Sequence, residues 1–256
     1  MLKTVCALVL CSSLVSFCAI EYHPELERTA EEVACFNETD DNAERYLAYR
    51  DLPELFKQYT SGPKALDFGA GTGISTKLLL NNNFSVCAAD VSTEMAKQFR
   101  INYPEVPLYM INNNELPFAA HSFDLVFSSL VILEIASKEA LKEYFKAAHG
   151  ILKKDGIFVI LNTSDTAYTK NWFLFGNDYP ENKNLKSGDL ATIFQYEGNI
   201  KFSDYYWLEC DIKALVEEVG FEMITIHHPL GKSDEPYAWR DELEDSPFVL
   251  FVARAL

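Results

Sequence analysis

The run ALDFGAGTGISTKLLL at residues 65–80 constrains this chain more than any other stretch. An apolar segment ending at Asp67 and Phe68 reads as a buried strand, and Ile74, Leu78 and Leu79 then resume at helical spacing. Between them, Gly69-Ala70-Gly71-Thr72-Gly73 gives a backbone that can approach a bound molecule more closely than any Cβ would permit. Strand, glycine turn and helix in that order make the ligand-binding corner of a doubly wound α/β sheet. A dinucleotide fingerprint, G-x-G-x-x-G, would place its third glycine at position 74, where this chain has Ile74. That disfavours a nicotinamide-dependent oxidoreductase. No lysine directly follows the glycines, as a phosphate-cradling loop requires.

Further along, strand and helix patterns alternate, which implies a mainly parallel sheet. Strands are expected at residues 65–68, 85–89, 108–111, 124–128 and 156–161, with two closing strands at 222–226 and 248–253. Residues 43–59 carry a broken helical pattern with Pro53 as a helix start, and 137–152 and 211–219 read as helices. Residues 162–206 are long, aromatic and without sustained period, as a functional insertion would be.

Asp67 stands before the glycines and Asp90 closes the next strand. Downstream, Leu116-Pro117-Phe118 is followed by Ser122-Phe123-Asp124-Leu125-Val126. With these four features in order, the chain from about residue 46 to 161 resembles the class I S-adenosylmethionine-dependent methyltransferases. The LPF…SFDLV signature is similar to the small-molecule, ubiquinone/menaquinone-type branch, and a weaker echo runs over residues 202–230. The resemblance implies a Rossmann-like, doubly wound seven-stranded sheet, mostly parallel with an antiparallel last strand. It also implies S-adenosyl-L-methionine as cofactor, a helix over its pocket, and transfer of a methyl group to O or N of a small-molecule acceptor. A non-catalytic, exported binding protein on the same fold is the alternative.

The resemblance distributes the cofactor roles. Asp67, Gly69, Ala70, Gly71, Thr72 and Gly73 line the methionine end and the turn beneath it. Asp90 accepts both ribose hydroxyls, since two carboxylate oxygens match a vicinal diol; its other reading is a helix N-cap. Val91 and Met95 pack on the adenine. Four residues before the LPF leucine the family has an aspartate that contacts the adenine amino group, whereas this chain has Asn112, followed by Asn113. An amide oxygen accepts the same bond, and a polar capping loop is the equal alternative. Ser128 and Leu130 fall where the family approaches the methyl group.

On the acceptor side, Glu134 lies at the crevice where open α/β sheets bind ligands, and His227 and His228 follow a strand. These three are the candidate catalytic groups, imidazole because it titrates near neutrality. A helix start for Glu134 and a turn with satisfied side chains for the histidine pair are the structural readings. Tyr168, Trp172, Tyr205 and Trp207 offer an aromatic wall for a flat or apolar acceptor, or else packing for the insertion. No clustered His/Cys/Asp spacing points to a metal.

The 256 residues suit one domain, residues 42–256, with an aromatic lid at 162–206, a linker or cap at 21–41 and a leader at 1–20. A net charge of -16 argues against a nucleic-acid partner, which needs a basic face. Lys3 and the apolar run from Val5 to Ile20 are shorter than the roughly 20 residues of a spanning helix and fit a secretory signal cut ahead of Ala19. Secretion, a secretory compartment or the periplasm follows. The alternative is a retained anchor, the only membrane contact, with the enzyme domain facing the cytoplasm. Cys35, Cys87 and Cys210 remain beyond the leader, too few for a disulfide framework.

Overall fold

The structure, a computed structural model, describes residues 20–22, 29–30, 33–34, 42–112, 115–197 and 199–256. The leader, apart from Ile20, and most of the 21–41 linker lie outside the described residues.

The main sheet is built from β2 (Lys64–Phe68), β3 (Ser85–Asp90), β4 (Leu108–Met110), β5 (Phe123–Ser129), β6 (Leu152–Thr163), β10 (Phe221–His227) and β11 (Phe248–Ala255). Its order is β10-β11-β6-β5-β2-β3-β4, and only β11 runs against its neighbours. This is the seven-stranded, doubly wound sheet with an antiparallel last strand. The chain moves outward from β2 through β3 to β4, then returns to place β5 on the other side of β2. The carboxyl ends of β2 and β5 therefore flank the topological switch point, where open α/β sheets bind ligands.

Both faces of the sheet are covered, so its central strands read as continuous apolar runs rather than alternating ones. One face sends Leu125, Phe127 and Val159 against Leu47, Leu52 and Phe56. Those three belong to α1 (Ala43–Tyr49) and α2 (Leu52–Tyr59), two helices where the sequence pattern suggested one broken run; Pro53 opens the second. Arg50 and Asp51 form the joint. The opposite face sends Val126, Phe158 and Phe251 against Phe145 of α5 (Lys138–Ile151) and Ile212 and Val216 of α6 (Glu209–Glu218). Ser137 caps α5, its hydroxyl accepting from the Ala140 N–H at 3.2 Å.

The aromatic insertion is a second sheet. After β6, the chain forms β7 (Phe175–Gly176), β8 (Leu190–Gln195) and β9 (Ile200–Tyr205), antiparallel in sequence, and β1 (Ile20–Tyr22) adds to β9 in parallel. Its period of two was obscured because the inward face mixes Ile193, Ile200 and Phe202 with polar Gln195 and Asp204. A strand whose sheltered face carries polar groups loses the apolar alternation that marks strands in sequence.

Candidate active site

The glycine turn takes its shape from three residues with positive φ: Gly69 (86°), Gly71 (54°) and Gly73 (101°). They do different work. A Cβ on Gly69 would lie 2.3 Å from Val131 Cγ2, and one on Gly73 would lie 2.3 Å from the Tyr103 ring, so both are packed from below. A Cβ on Gly71 would meet only Met95 Sδ at 4.0 Å, because that residue faces open space. Gly73→Ala combines left-handed strain with a clash, and thermal unfolding should show it destabilised by about 2–3 kcal/mol. A melting curve superimposable on the parent's would refute this.

Asp67 lies under the turn rather than on the cavity wall. It is fully buried at the start of α3 (Ile74–Asn81), where Ser75 Oγ (2.8 Å) and Thr76 Oγ1 (2.5 Å) donate to its Oδ2. Burial, against those two hydrogen bonds, raises its pKa from 3.8 to about 7. Gly73 is likewise off the wall, turned toward Tyr103, and Ser128 is fully buried below the crevice. The Tyr144 hydroxyl joins the two central strands there, donating to the Phe68 carbonyl at 2.9 Å and lying 2.8 Å from Ser128 Oγ. Its ring stacks on Phe68 with centroids 4.0 Å apart.

Above this support lies a cavity of about 400 Å³. Gly69, Ala70, Gly71 and Thr72 line one end, together with Asp90, Val91 and Met95. Asp90 is 7% exposed; its Oδ2 accepts from the Gly71 N–H and its Oδ1 from the Ser92 N–H, each at 2.7 Å. The carboxylate thus fixes the loop while facing the cavity. Val91 is 64% exposed, an apolar surface placed beside Met95 at the start of α4 (Thr93–Asn102). Ile111 joins this wall. Asn112 does not: it is exposed, in the bend after β4, with its carbonyl accepting from Glu115 N–H at 3.0 Å. Asn113 lies outside the described residues.

At the middle of the cavity, Ser129 and Leu130 end β5. Leu130 has φ +55°, unusual for a branched residue, and its N–H donates to Leu161 O at 2.9 Å. The Tyr49 hydroxyl reaches from α1 to within 2.8 Å of Ser129 Oγ. Burial, above all, raises the Tyr49 pKa, so the phenol stays protonated and available as a donor. Glu134 also lines the cavity, at the close of a short 3-10 turn.

The far end is roofed by β8 and β9. Ile193, Gln195, Ile200, Phe202 and Asp204 face inward, and Thr163, Phe175 and Phe248 close the inner end. From α1, Glu44 and Arg45 complete the wall, Glu44 accepting from Gln195 Nε2. Burial raises the Glu44 pKa, with Arg45 and the Gln195 hydrogen bond opposing it.

Several expected acceptor residues are elsewhere. His227 Nε2 lies 2.8 Å from Asp51 Oδ2, tying β10 to the joint between α1 and α2. His228 Nε2 lies 3.0 and 3.1 Å from the Glu209 carboxylate oxygens; that hydrogen bond, against burial, raises the imidazole pKa. Neither ring is among the residues that line the cavity; each is held by a carboxylate instead. Tyr168, Trp172, Tyr205 and Trp207 are buried, between 0 and 6% exposed, and pack the insertion rather than line the cavity. Trp172 Nε1 donates to Ala167 O at 2.8 Å and Trp207 Nε1 to Ile135 O at 3.2 Å, so their polar tips are engaged within the protein.

The chemistry of this donor set fits the cofactor that the resemblance implied. Gly71 leaves room that a Cβ would fill, Asp90 offers two carboxylate oxygens beside it, and Val91 and Met95 supply an apolar slot for a base. Residues 66–160 match the family described as a methyltransferase domain. An uncharacterized methyltransferase of Synechocystis sp. is 24% identical over 185 residues, covering 72% of this chain and 79% of that protein. N-demethylindolmycin N-methyltransferase of Streptomyces griseus is 22% identical over 185 residues, covering 70% of this chain and 78% of that protein. A solved S-adenosylmethionine-dependent methyltransferase from Clostridium acetobutylicum aligns over 86% of this chain and 99% of its own, at a TM-score of 0.61 and 18% identity. Fold, cofactor corner and domain match agree: residues 66–160 match a methyltransferase domain, carried on the fold seen in solved S-adenosylmethionine-dependent methyltransferases.

Proposed function

We propose that the enzyme methylates oxygen or nitrogen of a small molecule bound between the glycine turn and the β8–β9 roof. The observation that carries this reading is the continuity of the cavity. The space that Asp90, Gly71 and Val91 border runs past Ser129 to an end walled by Phe175, Ile193 and Phe202. A concave pocket of this size with a largely apolar lining suits a compact acceptor better than a macromolecular one. The name of the Streptomyces griseus relative, N-demethylindolmycin N-methyltransferase, supports nitrogen as one acceptor atom.

When bound, S-adenosylmethionine supplies an electrophilic methyl group on a positively charged sulfur. The protein's own part is to hold and orient. Asp90 holds the nucleoside end and the glycine turn the methionine end, while Tyr49, Ser129 and Glu134 are the polar groups at the junction that can fix the acceptor atom. Incubating the full chain with methyl-labelled S-adenosylmethionine and a cell extract, then separating small molecules from polymers, tests the reading. Label is expected in a small-molecule product. Label confined to protein or nucleic acid, or none beyond a heat-treated control, would overturn it.

A further inference from the structure

The inner end of the cavity has a polarity of its own. Among the described residues, the lining of the whole cavity carries four carboxylates, Glu44, Asp90, Glu134 and Asp204, and one cationic side chain, Arg45. Asp90 belongs to the cofactor end and Arg45 stands beside Glu44 on α1. Asp204 is the carboxylate of the inner wall, 3% exposed and bordering the cavity. Its position is fixed from behind: the buried Tyr168 hydroxyl donates to Asp204 Oδ2 at 3.2 Å and lies 3.2 Å from Thr163 Oγ1. The register adds to this. Asp204 pairs with Ala191, which is fully buried in the core. Two residues along, Phe202 pairs with Ile193 on the same inward face, and Phe175 and Phe248 stand nearby on the cavity wall. A buried carboxylate next to an apolar surface recognises one kind of molecule well: a cation with an apolar body.

We propose that the acceptor site takes an amine that enters as a cation, seating its ammonium on Asp204 and its apolar body against Phe202 and Ile193. This rests on the methyltransferase reading of the same cavity and gives that reading a substrate class. Tyr168 then acquires a role that its burial alone did not suggest: it positions the carboxylate that meets the amine. A carboxylate-bearing acceptor of the same size is disfavoured, because it would bring like charge against a buried Asp204.

The test uses the full chain and calorimetry. S-Adenosylhomocysteine is titrated first. With it present, phenethylamine and tryptamine are compared with 3-phenylpropionate, indole-3-propionate and 2-phenylethanol. The amines are expected to bind at least about tenfold more tightly than the acids or the alcohol. Asp204→Asn is expected to abolish that preference and to leave S-adenosylhomocysteine affinity unchanged. Equal or tighter binding of an acid or the alcohol, no binding of either amine, or a preference surviving in Asp204→Asn would each overturn the proposal. The ligand series on the unaltered chain decides the matter even if Asp204→Asn fails to fold. The two readings also fail separately. If S-adenosylhomocysteine binds and the amines do not, only the amine assignment falls; if S-adenosylhomocysteine does not bind, the methyltransferase reading falls.

Discussion

Asp90→Ala is expected to weaken S-adenosylmethionine binding by about a thousandfold, because one carboxylate does two jobs. It presents two oxygens toward the cavity, where a vicinal diol can pair with them. It also accepts from the backbone N–H groups of Gly71 and Ser92, which fixes the glycine turn and the start of α4. Hydrogen bonds to a charged group each contribute about 1.5–3 kcal/mol, and the alanine variant leaves both N–H groups without this acceptor. Asp90→Asn keeps one carbonyl oxygen and should fall between the two, with a loss of about ten- to a hundredfold. Calorimetric titration measures both, with circular dichroism to confirm that the sheet remains. Affinity within about threefold of the parent in Asp90→Ala would mean that the ribose sits elsewhere.

The second large effect is a dependence of stability on pH. Asp67 titrates near 3.8 when unfolded and at about 7 in the native fold, because burial penalises its charged form. The folded chain therefore holds a proton that the unfolded chain releases. This contribution is fully present below about pH 3.8 and is lost as pH rises toward 7, by at most about 4 kcal/mol. Asp51 works the other way: despite its burial, hydrogen bonds from Arg50 and His227 hold its pKa low, so its contribution is lost in acid. The comparison that isolates Asp67 is denaturant unfolding of the parent and of Asp67→Asn at several pH values. The parent's free energy of unfolding should fall relative to the variant's between about pH 4 and 7, and curves that stay parallel would place the Asp67 pKa in its ordinary range.

The cofactor half of the site was legible because it is written locally. Asp67, the glycines, Asp90 and Met95 lie within one strand-turn-helix-strand-helix run, so spacing alone brings them together. Even there, the division between wall and support was not visible: Asp67, Gly73 and Ser128 turn beneath the crevice, which only packing decides. The proposed acceptor half joins α1 to the end of β6 and the β8–β9 hairpin, which follow α1 only after more than half of the main sheet has been laid down. Glu44, Tyr49, Gln195 and Asp204 stand in no motif. The signal that could have found the last two is the two-residue rhythm of Ile193-x-Gln195 and Ile200-x-Phe202-x-Asp204, a strand whose polar members face inward. Adjacent histidines before a proline drew notice for their chemistry, yet Asp51 and Glu209 hold them for structural ends.

The hairpin that roofs the cavity hydrogen-bonds within its own small sheet, while the glycine turn and Asp90 belong to the large one. Inheritance can act on the two separately. If the roof meets the acceptor as proposed, substitutions along the inward face of β8 and β9 would alter what is accepted without touching the register of β2 and β3. On that proposal, a lineage with this architecture can diversify its products by drift at the inward hairpin positions Ile193, Gln195, Ile200, Phe202 and Asp204, keeping one cofactor scaffold throughout.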